Sequence, residues 1–180
     1  MTTHGDRVVA AARAWIGTPY VHQAACKGGG CDCLGLVRGI WSEVVGAEPE
    51  QVPAYSMDWS EPQGEEQLWQ AALRHLVAKP LDQAAVGDVI LFRMRDGAVA
   101  KHLGVQSNLC DHLLRAVPNL GRTQSALPAG RSGAARPVGR ARTASKFIHA
   151  YSGHGVVESP LSAPWQRRIV GRFQFPEETV

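Results

Sequence analysis

The sequence Gly30-Cys-Asp-Cys-Leu-Gly-Leu-Val37 decides the fold, because it joins a glycine-rich loop to an apolar helix. The helix is predicted from about Cys33 to Val45, where apolar side chains recur at helical spacing. Asp32 is a residue type that caps helix N-termini. Cys33 is therefore expected in the first turn, where unpaired backbone N–H groups and the positive end of the helix dipole favour a thiolate and can hold an oxyanion. This placement indicates a thiol nucleophile.

Predicted helices come first along the chain and predicted strands follow them. That order is typical of an α+β fold, here with N-terminal helices packed on an antiparallel sheet. A length of 180 residues fits one domain, spanning residues 1–180. Helices are predicted at about 6–16, 33–45 and 65–77, and strands at about 89–92, 101–106, 147–151, 156–158 and 168–175.

Two histidines fall within predicted core strands, His102 in the strand at 101–106 and His149 in the strand at 147–151. Adjacent antiparallel strands would set these imidazoles side by side on one face of the sheet, and a helix start packed on that face would bring Cys33 into reach. A thiol hydrolase needs an imidazole base and a partner that fixes the tautomer of that base. The three residues therefore favour a nucleophile over a purely structural cysteine.

The stretch from about 108 to 145 separates two predicted strands and lacks the alternating pattern of a strand. It is predicted to be an insertion in the domain. Seven basic residues lie from Asn108 to Lys146 inclusive, against Asp111 alone, so residues 108–146 carry +6 and the remainder of the chain −3. Phosphate contacts need only positive charge. The insertion has no tyrosine or tryptophan for base stacking, however, so nucleic acid is not an expected partner. Acidic protein surfaces and anionic wall polymers fit the charge equally well.

Composition also bears on several other classes of protein. No apolar run approaches the roughly 18 residues of a membrane span. The N-terminus lacks the basic-then-apolar layout of a signal peptide, so synthesis in a cytoplasm is expected. Three of the four cysteines crowd into eight residues, which does not favour a disulfide framework.

A zinc site is the sharpest competing interpretation of the cysteine-rich loop. His22, Cys26, Cys31 and Cys33 are all residue types that zinc accepts. The spacing Cys-x4-Cys-x-Cys is not a common zinc spacing, and no second knuckle follows. Neither a metal nor another cofactor is therefore predicted.

Five short motifs follow one another along the chain, namely Tyr20, Asp32-Cys33-x-Gly-Leu, Gly87-Asp88 before an apolar strand, His102-x-Gly-Val and Phe147-Ile148-His149-Ala150. Taken together, they resemble the NlpC-type peptidases of bacterial cell walls, which are compact papain-like enzymes. The resemblance implies that Cys33 is the nucleophile, His102 the base and His149 the third catalytic residue. It further places Tyr20 beside the oxyanion position and has Asp32 brace the nucleophile loop.

Two features distinguish this chain from the common pattern of that family. Leu34 stands where serine usually follows the nucleophile, so an altered subsite is expected, with His22 at the cleft wall. The two catalytic histidines are separated by 46 residues, although the hairpin between them is normally short. The insertion at 108–145 is therefore expected to cover the cleft, to dock a neighbouring subunit or to reduce activity.

The resemblance implies an endopeptidase that cuts peptidoglycan stem peptides between D-glutamate and the diamino acid, without a cofactor. Residues 17–20 and 30–39 look more like the branch found in phage tails and gene transfer agents. Tail or hub proteins are then expected partners, reached through the insertion at 108–145, and the expected location is the tail of a phage-like particle acting at the cell wall. Two alternatives stay open, namely an amidase that cuts the sugar–peptide bond and a structural tail component with little turnover.

Overall fold

In the computed structural model, which describes residues 2–56, 64–110 and 144–177, N-terminal helices pack on an antiparallel sheet. This is the predicted α+β architecture. The helices are α1 (His4–Ala14), α2 (Cys33–Val44), α3 (Gln67–His75) and α4 (Ala163–Gln166). The strands are β1 (Ala25–Cys26), β2 (Gly30–Cys31), β3 (Val77–Lys79), β4 (Val89–Phe92), β5 (His102–Asn108), β6 (Lys146–Tyr151), β7 (Gly155–Pro160) and β8 (Ile169–Gln174).

Within the described part of the chain, the main sheet has the strand order β3-β8-β4-β5-β6-β7, and every neighbouring pair is antiparallel. Strands β1 and β2 form a separate short hairpin just before α2. Strand β5 carries His102 and pairs with β4. In this pairing, Phe92 lies opposite His102 and Val89 lies opposite Val105. Strand β6, which carries His149, lies directly beside β5.

Helix α2 is the element that fixes the position of Cys33. Asp32 caps it, because its Oδ1 accepts a hydrogen bond of 2.8 Å from the backbone N–H of Gly35. A side chain at Gly35 is excluded, since its Cβ would lie 1.8 Å from the carbonyl oxygen of Ala24. The glycine therefore lets the preceding loop press against the first turn of the helix. The buried residues of α2 are Gly35, Leu36, Val37, Ile40 and Val44.

The two faces of the sheet bury different clusters. One face packs against α1 and α2 through side chains such as Leu103, Val105 and Ile148. The opposite face holds a smaller apolar cluster with Phe92 and Phe147, covered in part by Trp165 of α4. Because side chains alternate along a strand, His102 and His149 lie on this second face.

The expectation that α2 packs on the face that carries the histidines is therefore wrong. The helix covers the other face, and its N-terminus reaches the sheet at the start of β5. Cys33 and His102 line the same cleft because the start of α2 lies at the start of β5, and not because α2 packs on the face that carries His102. Periodicity predicts which residues share a face, but it does not say which of two buried faces a helix will cover.

Three local expectations also differ from the structure. Helix α3 ends at His75 because Leu76 adopts an extended backbone, and the chain continues as the edge strand β3. Residues 18–30, where no helix or strand was predicted, contain strand β1 and the first residue of β2, and helix α4 was not predicted either. Residues 111–143, which make up most of the predicted insertion at 108–145, lie outside the described residues.

Candidate active site

Cys33 is the first residue of helix α2 and lines one wall of a cleft of about 250 Å³. Its thiol donates a hydrogen bond of 3.8 Å to the carbonyl oxygen of Lys101, the residue before His102. The backbone N–H groups of Leu103, Leu34 and Cys33 itself lie where they stabilise negative charge on the sulfur. The helix start and the start of β5 therefore meet at the thiol.

Burial dominates the electrostatics of this thiol. Burial and, next, the carboxylate of Asp32 raise the pKa of Cys33 to about 12, although the surrounding backbone N–H groups act in the opposite direction. Burial therefore opposes the thiolate that the helix start was expected to favour, because desolvation of the charge acts against the helix dipole. Cys33 rests as a neutral thiol at physiological pH.

His102 and His149 form a directly hydrogen-bonded pair. The Nε2 atom of His102 lies 2.9 Å from Nδ1 of His149, and the two side chains are only 8% and 2% exposed. Burial, followed by the neighbouring His149, lowers the pKa of His102 to about 3, and burial lowers the pKa of His149 to about 4. Both imidazoles are therefore neutral at physiological pH. Nε2 of His102 is occupied by the contact with His149, so Nδ1 is the ring nitrogen of His102 outside this contact.

An aromatic cage surrounds the imidazole pair. The ring of Trp165 lies 5.6 Å from that of His102 and 5.1 Å from that of His149, measured between centroids. Phe92 and Phe147 contact the same imidazoles from the sheet. This apolar enclosure disfavours the charged form of both imidazoles, which accounts for their low pKa.

Trp165 was not predicted as a site residue. The signal for its helix is weak, since Ser162 can serve as an N-cap and Pro164 favours a helix start, but α4 is only four residues long. Nothing in the sequence pattern indicated that this short helix would lie against the histidines.

Six of the seven predicted site residues line the cleft, and His149 lies behind His102 rather than at the cleft surface. Tyr20 is held by a β-bridge to Cys31, and burial, then Cys33 and Asp32, raise its pKa to about 12. Its phenol is therefore neutral and able to donate a hydrogen bond. The six lining residues are Tyr20, His22, Asp32, Cys33, Leu34 and His102.

Asp32 connects the first turn of α2 to a second loop. Besides capping α2, its Oδ2 accepts hydrogen bonds of 2.6 Å from the hydroxyl of Tyr55 and 2.7 Å from the backbone N–H of Gln23. His22 lies beside this carboxylate, with Nδ1 3.4 Å from Oδ2, and its Nε2 contacts the carbonyl oxygen of Tyr55 at 2.9 Å. The sequence did not point to Tyr55, because its partner lies 23 residues away and no motif links them.

Glu66, at the start of α3, supports the segment that leads into His102. One carboxylate oxygen accepts a hydrogen bond of 2.8 Å from the backbone N–H of Ala100, and the other pairs with Arg93. The carboxylate therefore ties α3 to both ends of the turn between β4 and β5. This residue also escaped the sequence analysis, since charged residues at helix starts are common.

A larger, mainly apolar cavity of about 310 Å³ adjoins the cleft. Leu34 and Leu68 line both spaces, so Leu34 stands at the junction between them. A serine at this position would present a hydroxyl there instead of an alkyl group. The leucine therefore makes the wall next to Cys33 apolar.

The cysteine-rich loop does not assemble into a metal site in the described residues. Across residues 2–56, 64–110 and 144–177, no group of three or more His, Cys, Asp or Glu could hold a metal ion. Cys26, Cys31 and Cys33 form no disulfide with one another, and Cys31 is fully buried. No helix in the described ranges is long and apolar enough to cross a membrane.

Comparison with known proteins places this geometry among related folds. The model of the NlpC/P60 family matches residues 17–174, whereas no curated protein sequence matches the chain. The NlpC/p60 domain of the peptidoglycan hydrolase SagA shares 20% identity over 95% of this chain and 98% of that domain, with a TM-score of 0.50. This likeness confirms the papain-like α+β fold.

Two longer proteins share the fold. An NLP/P60 family protein similar to lipoprotein, from Staphylococcus aureus Mu50, is 16% identical over 97% of this chain, with a TM-score of 0.52. An NlpC/P60 family protein from Bacillus cereus is 17% identical over 97% of this chain, with a TM-score of 0.55. The chain spans about two fifths of the length of both, 42% and 41% respectively.

Proposed function

The chain belongs to the NlpC/P60 family, and on that premise we propose that it is a cysteine endopeptidase that hydrolyses the stem peptides of peptidoglycan. One observation carries the proposal. The thiol of Cys33 lies at a helix start in a cleft that also exposes His102, and His102 is hydrogen-bonded to the buried His149. A solved relative of the same fold is described as a peptidoglycan hydrolase, which supports the choice of substrate.

The reaction begins from a neutral pair. Nδ1 of His102 takes the thiol proton as the sulfur of Cys33 attacks the amide carbonyl, and the resulting imidazolium donates from Nε2 to Nδ1 of His149. Backbone N–H groups at the start of α2 and the phenol of Tyr20 stabilise the oxyanion. His102 then gives its proton to the leaving amine, and water hydrolyses the thioester with the same imidazole as base.

The bond between D-glutamate and the diamino acid is the proposed target. This choice follows from the resemblance of the motifs around Cys33 and His102 to those of the family. Leu34 replaces the usual serine beside the nucleophile, so the proposed acyl-side subsite is less polar than in the common pattern. We place the enzyme at the tail tip of a phage-like particle, because residues 17–20 and 30–39 resemble that branch. The basic insertion at 108–145 is the proposed contact with neighbouring tail or hub proteins.

Digestion of purified peptidoglycan tests this function directly. Wild type is expected to release fragments whose masses identify the cleaved bond, and Cys33→Ala is expected to release none. Cys26→Ala is the matched control, because Cys26 is an exposed thiol that does not line the cleft. Equal release by wild type and Cys33→Ala would refute the proposal, and absence of release from both would favour a structural tail component. Release of intact stem peptides from the sugar would indicate an amidase.

A further inference from the structure

The imidazole pair continues to a third group that no motif indicated. Nε2 of His149 lies 3.0 Å from the hydroxyl oxygen of Ser159, while its Nδ1 faces His102. Both nitrogens of the buried ring are therefore hydrogen-bonded, one to the proposed base and one to a serine. Within the described residues, Ser159 is the partner of that outer nitrogen.

The sheet register holds this serine in place. Ser159 lies in β7 directly opposite Phe147 of β6, and Val157 lies opposite His149. Ser159 is thus a diagonal neighbour of His149 on the face that also carries Phe147, a position from which a short side chain reaches the ring. Because β7 is the last strand in the order and Ser159 is only partly buried, the hydrogen of its hydroxyl can point to water.

The tautomer of His149 decides whether His102 can act as a base. If His149 carries its proton on Nε2, its Nδ1 accepts from Nε2–H of His102, and Nδ1 of His102 keeps a lone pair for the thiol proton of Cys33. If His149 carries its proton on Nδ1, its Nδ1–H donates a hydrogen bond to Nε2 of His102. The proton of His102 must then sit on Nδ1, where it blocks transfer from Cys33.

We propose that Ser159 is a positioning residue whose hydroxyl accepts a hydrogen bond from Nε2–H of His149 and so holds the His149–His102 pair in the base-competent tautomer. The hydrogen bonds of His149 support the position of Ser159, and the effect on catalysis rests on the proposed peptidase function. Proton transfer stays balanced, since the thiol proton moves to His102 and then to the leaving amine, while His149 and Ser159 keep their own protons throughout.

Nitrogen-15 NMR of histidine-labelled protein at pH 7 tests the tautomer without any substrate. In the wild type, His149 and His102 are both expected to be protonated on Nε2 and unprotonated on Nδ1. Ser159→Ala is expected to give a mixture of tautomers at both rings, and Ser159→Thr to restore the wild-type spectrum. Ser162→Ala is the matched control, since Ser162 is an exposed serine nearby whose side chain makes no capping hydrogen bond.

Kinetics give the second readout. Loss of one neutral hydrogen bond corresponds to a fall of about fivefold to tenfold in kcat for Ser159→Ala, with KM unchanged and with rescue by threonine. A wild-type His149 protonated on Nδ1 would overturn the proposal. So would a Ser159→Ala variant that loses thermal stability but keeps its tautomer and its kcat. If the wild type proves to have no peptidase activity, the spectra alone still decide the role of Ser159, so the two failures remain distinguishable.

Discussion

At the scale of single residues, the resting charge of Cys33 is the feature that most changes the expected chemistry. A helix start and a nearby imidazole would suggest a preformed thiolate–imidazolium pair. Burial instead leaves both groups neutral, with the pKa of Cys33 raised and that of His102 lowered. In the proposed reaction, attack on the substrate is therefore coupled to transfer of the thiol proton, so the orientation of His102 matters more than its charge.

Thiol alkylation across pH tests this resting state. Because the pKa of Cys33 lies near 12, its rate of reaction with iodoacetamide is expected to rise steadily up to pH 10 without levelling off. The rate is followed by mass spectrometry of the peptide that contains Cys33, in a Cys26→Ala background that removes the exposed thiol. A rate that reaches a plateau below pH 8 would show a stabilised thiolate and contradict the neutral pair.

Sequence patterns indicate the candidate site residues that belong to motifs, but not the residues that contact them from distant parts of the fold. Cys33, His102 and His149 stand in patterned segments, so their types and spacing were informative. Tyr55, Glu66 and Ser159 were not found, because a hydrogen bond between distant loops or strands leaves no periodic trace in the sequence.

At the scale of elements, length and hydrophobic pattern determine what could be predicted. Helix α2 and strand β4 have continuous apolar signals and were placed within one residue of their observed ends. Strands β1 and β2 contain two residues each and α4 contains four, which is too short for a period to emerge. The face of the sheet that α2 covers was predicted wrongly, because both faces bury apolar side chains and only the three-dimensional packing tells them apart.

Helix α4 contributes to the site through Trp165 alone. Replacing Trp165 with alanine removes the ring that contacts both imidazoles, so water is expected to reach the pair and the pKa of His149 to rise toward its ordinary value. The loss of stability is expected to be about 3 kcal/mol, at the low end for a buried aromatic ring because Trp165 is partly exposed.

Proton NMR titration of the imidazole rings measures this effect. Trp41→Ala is a suitable control, because Trp41 lines the larger apolar cavity rather than the histidine pair. An unchanged titration of His149 in Trp165→Ala would mean that the cage does not set its pKa.

At the scale of the whole molecule, the histidine pair couples folding to pH. Both folded-state pKa values, about 3 and about 4, lie below the ordinary 6.5 of histidine. The unfolded chain therefore binds protons that the folded chain excludes as the pH falls below 6.5, and stability declines in that range. The stabilising contribution of the neutral pair is fully present above pH 6.5 and is lost progressively toward pH 4.

Urea unfolding at pH 7.5, 6 and 5 measures the coupling. Each buried histidine is expected to lower the free energy of unfolding by about 1.4 kcal/mol per pH unit below its unfolded pKa. The double variant His102→Gln, His149→Asn removes both titrating groups and is expected to show a flatter pH dependence. A wild-type free energy of unfolding that stays constant or rises between pH 7.5 and 5 would contradict the burial of a neutral pair.

The proposed function requires the sulfur of Cys33 to form a covalent bond with the substrate, and acid quenching followed by mass spectrometry tests this step most directly. Wild-type protein mixed with peptidoglycan stem peptides and quenched within the first turnover is expected to carry the acyl fragment as a thioester on Cys33. The same treatment of Cys33→Ala is expected to give neither the adduct nor any cleaved product. Cleavage by Cys33→Ala at the wild-type rate, or an acyl fragment found on a different residue, would contradict the account.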